Sequence, residues 1–182
     1  NRMIEASREY SIAADAIGKG DYSAQVKVRS EVDILGAALH KMKTNLQQLS
    51  KENETRTWLL TGNGSLNDKM RGEKDLKGLA QDVVTQMATY LNALIGAIYL
   101  NENAKLVLVG SYAFHERKGN TSSFRMGHGL VGQAALERKM IVFSEIPKDY
   151  IRINSGLGNT IPRHIIVFPF SYENEVKGVI EL

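Results

Sequence analysis

Six apolar residues, Val32, Leu35, Leu39, Met42, Leu46 and Leu49, recur at alternating three- and four-residue steps. That spacing places them on one narrow stripe of an α-helix, the knob pattern that packs against a parallel neighbour. A stripe so thin is a poor core for a single chain, because helices that cover their own domain carry a broader apolar face. Dimerisation through this seam is the expected arrangement; the other reading is an amphipathic helix lying on its own globular domain.

The residues before the seam build a second helix. Ile4, Tyr10, Ile12, Ala13, Ala16 and Ile17 fit a helix over residues 4–17, and Gly18, Gly20 and Asp21 stop it. Tyr22, Ala24, Val26 and Val28 then alternate with polar residues, as in an extended connector resting on one side. Ser30 opens the next helix, with Asp33 three residues on as in a capping box. A connector this long lets the two helices run parallel, and two copies would form a parallel four-helix bundle. Beyond Leu49 the seam register meets Asn53 and Arg56 before Leu60, whereas Leu59 and Leu66 fit a register one step earlier. Such a phase slip weakens and rewinds a coiled coil. Residues 61–65 read either as weakened helix or as a loop, since Gly62 and Gly64 each cost about 1 kcal/mol inside a helix.

The rest of the chain changes character. Residues 73–94 carry Leu76, Leu79, Ala80, Val83, Val84, Met87, Leu91 and Leu94, a broad helical face suited to covering a sheet. Strands are predicted at 95–100 and 106–114, joined across Asn101-Glu102-Asn103-Ala104, and at 140–143. A second hairpin is predicted from 165–170 and 176–182 across Glu173-Asn174, and a short helix at 130–136. An antiparallel sheet with helices on one face is the expected assembly.

Composition removes whole chemistries. With no cysteine among 182 residues there is no disulfide framework, thiolate metal site, cysteine nucleophile or thioether-held chromophore. A net charge of +3, spread along the chain, gives nucleic acid no basic patch. The longest apolar run, around Ile165-Ile166-Val167-Phe168, is far short of the roughly 20 residues of a membrane-spanning helix. Both ends read as interior to longer elements, so the chain is expected to continue beyond them.

Two family resemblances sharpen these expectations. Over roughly residues 4–50, Gly20-Asp21-Tyr22 and Asp33-Ile34-Leu35-Gly36 resemble the connector and Asp-Glu-x-Gly elements of a HAMP domain, the coupling module of bacterial transmembrane receptors. Ala6 stands where that family often has proline, and Ile34 replaces its glutamate. The second resemblance rests on Gly96-Ala97-Ile98-Tyr99-Leu100, Gly127-His128-Gly129-Leu130-Val131-Gly132-Gln133-Ala134, residues 149–158 and Gly178-Val179-Ile180-Glu181-Leu182. These resemble a GAF domain, a small-molecule sensor and dimerisation module of signalling proteins. Residues 149–158, joined to 56–59 and 71–76, look most like the GAF domains of bacterial hybrid sensor histidine kinases. The resemblance implies that the last strand and closing helix lie beyond Leu182.

Motifs with chemistry to offer reduce to a binding loop. Gly127-His128-Gly129-Leu130-Val131-Gly132 spells the dinucleotide fingerprint, with Asp149 further on, yet polar residues 118–123 precede it where the mechanism requires a strand. These glycines are expected to serve turns and close packing. His40, His115, His128 and His164 lack the further ligands that a metal needs, and no catalytic motif is present. The long loop holding Asp149-Tyr150-Ile151-Arg152 and Pro162-Arg163-His164 is of the kind that closes over a ligand. If a small molecule binds, Tyr150 and His128 would stack or hydrogen-bond, Arg152 and Arg163 would meet an anionic group, and Phe114, Phe124, Met126 and Phe168 would form apolar walls. The other reading has the loop packing on the sheet, its arginines paired with Asp149 or Glu145. The cyclic-nucleotide motif of the family is not visible, and its sulfoxide-reducing members use cysteines that this chain lacks.

The expected organisation is α+β: a HAMP-like parallel dimeric helical bundle over residues 1–50, a coiled-coil signalling helix over 51–73, and a C-terminally incomplete GAF-like antiparallel sheet with helices over 74–182. The expected role is signal transmission and sensing, as a homodimer, in the cytoplasmic portion of an inner-membrane histidine kinase. The chain itself would be no enzyme and hold no cofactor or metal. It would pass its state to a kinase domain in cis and, through the parent protein, to a response regulator. The alternative is a soluble dimeric small-molecule-binding GAF module controlling a diguanylate cyclase or transcription-factor output.

Overall fold

The computed structural model describes residues 2–30, 32–113, 123–144, 146, 153–155 and 158–182. They group into two compact units, Asn1–Thr61 and Gly62–Leu182. Among the described residues no helix is long and apolar enough to cross a membrane.

The first unit holds helix α1 (Arg2–Gly18), an extended connector, and the start of helix α2 (Ile34–Met70). Gly20, at φ +85°, ends α1 in a Schellman turn, its N–H bonded to the Ile17 carbonyl at 3.0 Å and that of Asp21 to Ala16 at 2.9 Å. The connector doubles back along α1: Arg29 pairs with Glu9 at 2.7 Å, and the Tyr10 hydroxyl donates to the Lys27 carbonyl at 3.2 Å. Tyr10 also meets Gly36 and Asp33 at the start of α2, and Lys43, two turns on, reaches Ala24 near the other end of α1. The two helices therefore run parallel, around a core of Tyr10, Ala13, Ile17 and Leu39 flanked by Tyr22, Val26 and Leu46.

Asp33, not Ser30, caps α2. Its carboxylate accepts from the Gly36 N–H at 2.9 Å, while its carbonyl takes the first helical bond, from Ala37 at 3.0 Å. The capping box predicted at Ser30 gives way because the Asp33 side chain is also bonded by the Tyr10 hydroxyl and the Arg29 N–H, which tie it to α1 and to the connector. Residues 61–65 are helical, within an α2 uninterrupted from Ile34 to Met70.

The second unit is built on a six-stranded antiparallel sheet. Its strands are β1 (Gly96–Glu102), β2 (Lys105–Tyr112), β3 (Ser123–Arg125), β4 (Ile141–Ser144), β7 (His164–Tyr172) and β8 (Glu175–Glu181), in the order β3-β2-β1-β8-β7-β4. A separate small hairpin pairs β5 (Ile153–Ser155) with β6 (Gly158–Thr160). Both predicted hairpins form: Asn103-Ala104 and Glu173-Asn174 are two-residue turns with positive φ at both positions, the twist that suits antiparallel strands.

Helices cover both faces of this sheet, not one. Helix α3 (Leu76–Tyr90) puts Ala80 and Val84 against Ile98 and Ile180. Helix α4 (Gly129–Glu137) puts Val131, Ala134 and Ala135 against Tyr99, Val167 and Val179 on the opposite face. Successive strand residues point to opposite faces, so Val179 serves one core and Ile180 the other. Val84, Val131, Val167, Val179 and Leu106 are fully buried, each worth about 2 kcal/mol of apolar transfer.

Helix α3 is shorter than its apolar periodicity predicts. Asn92 turns to φ +55° and Ala93 bonds back to the Ala88 carbonyl at 2.8 Å, so Leu91 and Leu94 fall outside the helix and are exposed. Its N-cap is Asp75, which accepts from the Gly78 N–H at 3.0 Å. Asp75→Ala is expected to destabilise this unit by about 1 kcal/mol in chemical denaturation, with Asp75→Asn close to wild type.

Candidate functional site

Strand alternation makes the α4 face of the sheet the site-bearing surface. Ala97, Tyr99, Leu106, Ile165, Val167, Val176 and Val179 form its core, with Phe124, Met126, Leu130, Ile141 and Ile146 packed around them. The Tyr99 ring meets that of Phe124 edge-on, centroids 5.4 Å apart. At one end lies an open cleft of about 580 Å³ lined by Asn101, Met126, Leu136, Arg138, Glu175 and Lys177. There the Asn101 amide donates to the Val176 carbonyl at 2.9 Å, while its buried Oδ1 has no hydrogen-bond partner among the described residues. Lys177, 2.6 Å from Glu175, holds that carboxyl below the usual range.

Toward the other end, Glu181 lies directly between Ala97 of β1 and Val167 of β7. It shares the parity of Val179 and so faces the α4 side. Burial pushes its carboxyl upward, and burial together with the Glu181 charge pushes the Tyr99 hydroxyl upward.

Of the residues expected to line a ligand, Phe124 and Met126 do come together on this face. His128 sits at the N-cap of α4 and is exposed, as is Arg163 just ahead of β7. Phe168 is a correction. It packs with the α3 core on the opposite face, so it shares no wall with Phe124 and Met126; the unbroken apolar run around it carries no alternation to reveal its side. Phe114, Tyr150 and Arg152 lie outside the described residues. Tyr99, Asn101 and Glu181 were missed, although the parity of Val179 and Glu181 in the last strand was a usable signal.

The glycines of the apparent dinucleotide fingerprint have structural work. Gly127 and Gly129 take positive φ, and a Cβ on Gly132 would overlap the Arg125 carbonyl oxygen. Among the described residues no group of three or more His, Asp or Glu is placed to hold a metal. His164 Nδ1 lies 3.2 Å from Ser144 Oγ across the β4–β7 pair.

The seam also needs correction as a single stripe. Leu39 is buried and Leu46 packs beside it in the α1–α2 core, because Tyr10, Ala13 and Ile17 offer them a partner within the chain. Val32, Leu35, Met42 and Leu49 remain 83, 62, 43 and 60 % exposed.

An antiparallel sheet with helices on both faces, and polar groups set into one of its apolar surfaces, defines an α+β domain. The profile of the GAF domain family matches residues 73–182, and the chain belongs to this family of small-molecule-binding sensory modules. Solved structures share the fold. The GAF domain of nlh2 from A. aeolicus in an inactive state is 19 % identical, with TM-score 0.55 over 69 % of this chain and 78 % of that one. The GAF domain of a phosphoenolpyruvate-protein phosphotransferase from Coxiella burnetii is 15 % identical, with TM-score 0.56 over 69 % and 76 %. A putative GAF sensor protein from Burkholderia vietnamiensis is 18 % identical, with TM-score 0.52 over 69 % and 71 %. No curated protein sequence matches the chain significantly.

Proposed function

We propose that the chain is the signal-transmission and sensory region of a membrane-bound, two-component sensor histidine kinase. It works as a parallel homodimer on the cytoplasmic side of an inner membrane, with a HAMP-like helical unit feeding the GAF domain. The parent protein carries the kinase in cis and phosphorylates a response regulator; the chain described here is the relay and not the enzyme. One observation carries this reading: Leu35, Met42 and Leu49 stand exposed at seven-residue steps on α2, while Leu39 and Leu46 between them are taken by α1. A helix pair that uses half of a heptad seam internally and leaves the other half bare is suited to meeting its own copy. Farther along α2, Trp58, Leu59 and Leu60 are all exposed, as a change of register would leave them. A ligand on the GAF domain would shift the balance between two packings of the dimer only by its differential affinity for them.

The absence of native cysteine makes the test direct. L35C, M42C and L49C are expected to give symmetric disulfide dimers under mild oxidation, and A37C and T44C, exposed on the opposite side of α2, are not. Equal cross-linking at all five positions, or monomers by sedimentation at high concentration, overturns the relay.

A further inference from the structure

Helix α2 carries two glycines two residues apart, Gly62 and Gly64, where each costs helix stability. Their surroundings differ. A Cβ on Gly64 would meet nothing within 4 Å, whereas one on Gly62 would stand 2.6 Å from the Tyr90 ring of α3. Residues 51–61 of α2 are all exposed, and the first covered face beyond them is Gly62, Ser65 and Leu66, one side of the helix. One turn back along α3 from Tyr90, the Gln86 amide donates to Ser65 Oγ at 3.0 Å. A further turn back, Asp82 pairs with Lys74, which also donates to the Lys69 carbonyl at 2.6 Å. The end of α2 therefore lies antiparallel along α3, and all of these residues belong to the second unit.

The sheet holds α3 by the same two means. A Cβ on Gly110 of β2 would lie 2.9 Å from the α3 backbone at Ala80 and Gln81. Among the described residues β3 pairs with β2 only over 105–107, and at Ser111 the Gln81 side chain stands in for a strand. Its amide donates to the Ser111 carbonyl at 2.7 Å and accepts from the Ser111 N–H at 3.1 Å. Helix α3 thus sits between two close approaches that only glycine permits, each backed by a glutamine.

Resting on the reading of the chain as a relay, we propose that α3 is the transmission element between the sheet and α2. The notch at Gly62 that receives Tyr90, with the Ser65–Gln86 bond, is the joint. A ring set directly on helix backbone leaves no compliant side chain between the two helices, so a displacement of α3 on β2 is passed to α2. Gly64, which serves no packing, leaves α2 most easily deformed beside that joint.

Hydrogen exchange on the whole 182-residue chain tests the joint. Helix propensity alone makes G62A and G64A alike, both raising protection. The notch makes them opposite: G64A should raise protection over residues 62–70 about fivefold, and G62A should lower it. Once Y90A removes the ring, G62A should protect as G64A does. G62A as protective as G64A with Tyr90 present, or equally costly without it, overturns the notch.

Transmission is read with Q81A, which releases α3 from β2. Protection over 62–70 should fall roughly fivefold, more than in β8, and residues 38–50 should keep theirs. In a Q86A/Y90A background, where the joint is cut, Q81A should have no further effect on 62–70. Unchanged protection over 62–70 in Q81A, a loss shared equally by β8, or an undiminished effect in the cut background overturns the proposal. A monomer that shows this coupling defeats the relay alone, and a cross-linked dimer that lacks it defeats this inference alone.

Discussion

Valine at Gly178 is expected to lower the melting temperature of the sheet domain by roughly 10 °C, a loss of about 3 kcal/mol. Gly178 faces α3 in the middle of β8, opposite Leu100 on one side and Phe170 on the other. The Phe170 ring lies across it, so that a Cβ there would overlap both that ring and the Tyr99 carbonyl oxygen. The ring has rotamers to try, but the carbonyl belongs to the β1–β8 ladder. Relief would have to come from separating two central strands, one of which also carries Ile98 and the other Ile180 into the α3 core. G178A should cost nearly as much, since the first carbon makes the clash. Thermal melts followed by circular dichroism decide the matter, and a G178A variant as stable as wild type would show that the approach is not this close.

The second large effect is expected at Gly36. A Cβ there would stand 2.5 Å from Asp33 Oδ2 and 2.7 Å from the Tyr10 hydroxyl oxygen, between α1 and the capped end of α2. G36V would drive the Asp33 carboxylate off the α2 terminus and break its bond from Tyr10, an overpacking cost of about 1–3 kcal/mol. Hydrogen exchange should show α1 and the first turns of α2 losing protection, while the sheet, whose cores contain no residue of α1, keeps it. The same junction carries a pH signature. Hydrogen bonds from Tyr10, Arg29 and Gly36 hold the Asp33 carboxyl below its ordinary range. A carboxyl lowered on folding contributes stability above its unfolded titration range and loses it as pH falls through its folded one. D33N keeps a capping side chain without the charge, so its α1 protection should be weaker than wild type at pH 7 and less sensitive to acid. Identical acid profiles for D33N and wild type would argue against this junction.

The parts of the fold legible beforehand are those set within a few residues. Gly20 at the end of α1, the tight turns at Asn103-Ala104 and Glu173-Asn174, and the glycines around α4 are local backbone demands that few side chains meet. The edge strand β3 and the small β5–β6 hairpin were not foreseen, because three-residue strands carry too little pattern to read. The side of the sheet on which each aromatic falls was hidden for a different reason. Register shifts at Ile98/Tyr99 and Phe170/Ser171 displace the alternation, so counting by two from a turn places the wrong residues together. Phe168 was lost to the unbroken apolar run around it, and Glu181 was overlooked as one polar residue in an apolar strand.

By itself the amino-acid order determined the type of the longer helices and strands, where most of them turn, and that cysteine chemistry is excluded, since each follows from side chains acting on their own backbone. Tertiary structure decided the pairings. Leu39 and Leu46 turn inward because α1 lies beside them, helices occupy both faces because neighbouring residues of β8 point opposite ways, and Glu181 stands between Ala97 and Val167 because two other strands flank it. Contacts between distant segments depend on register and burial, quantities that come into being only when the chain has closed on itself.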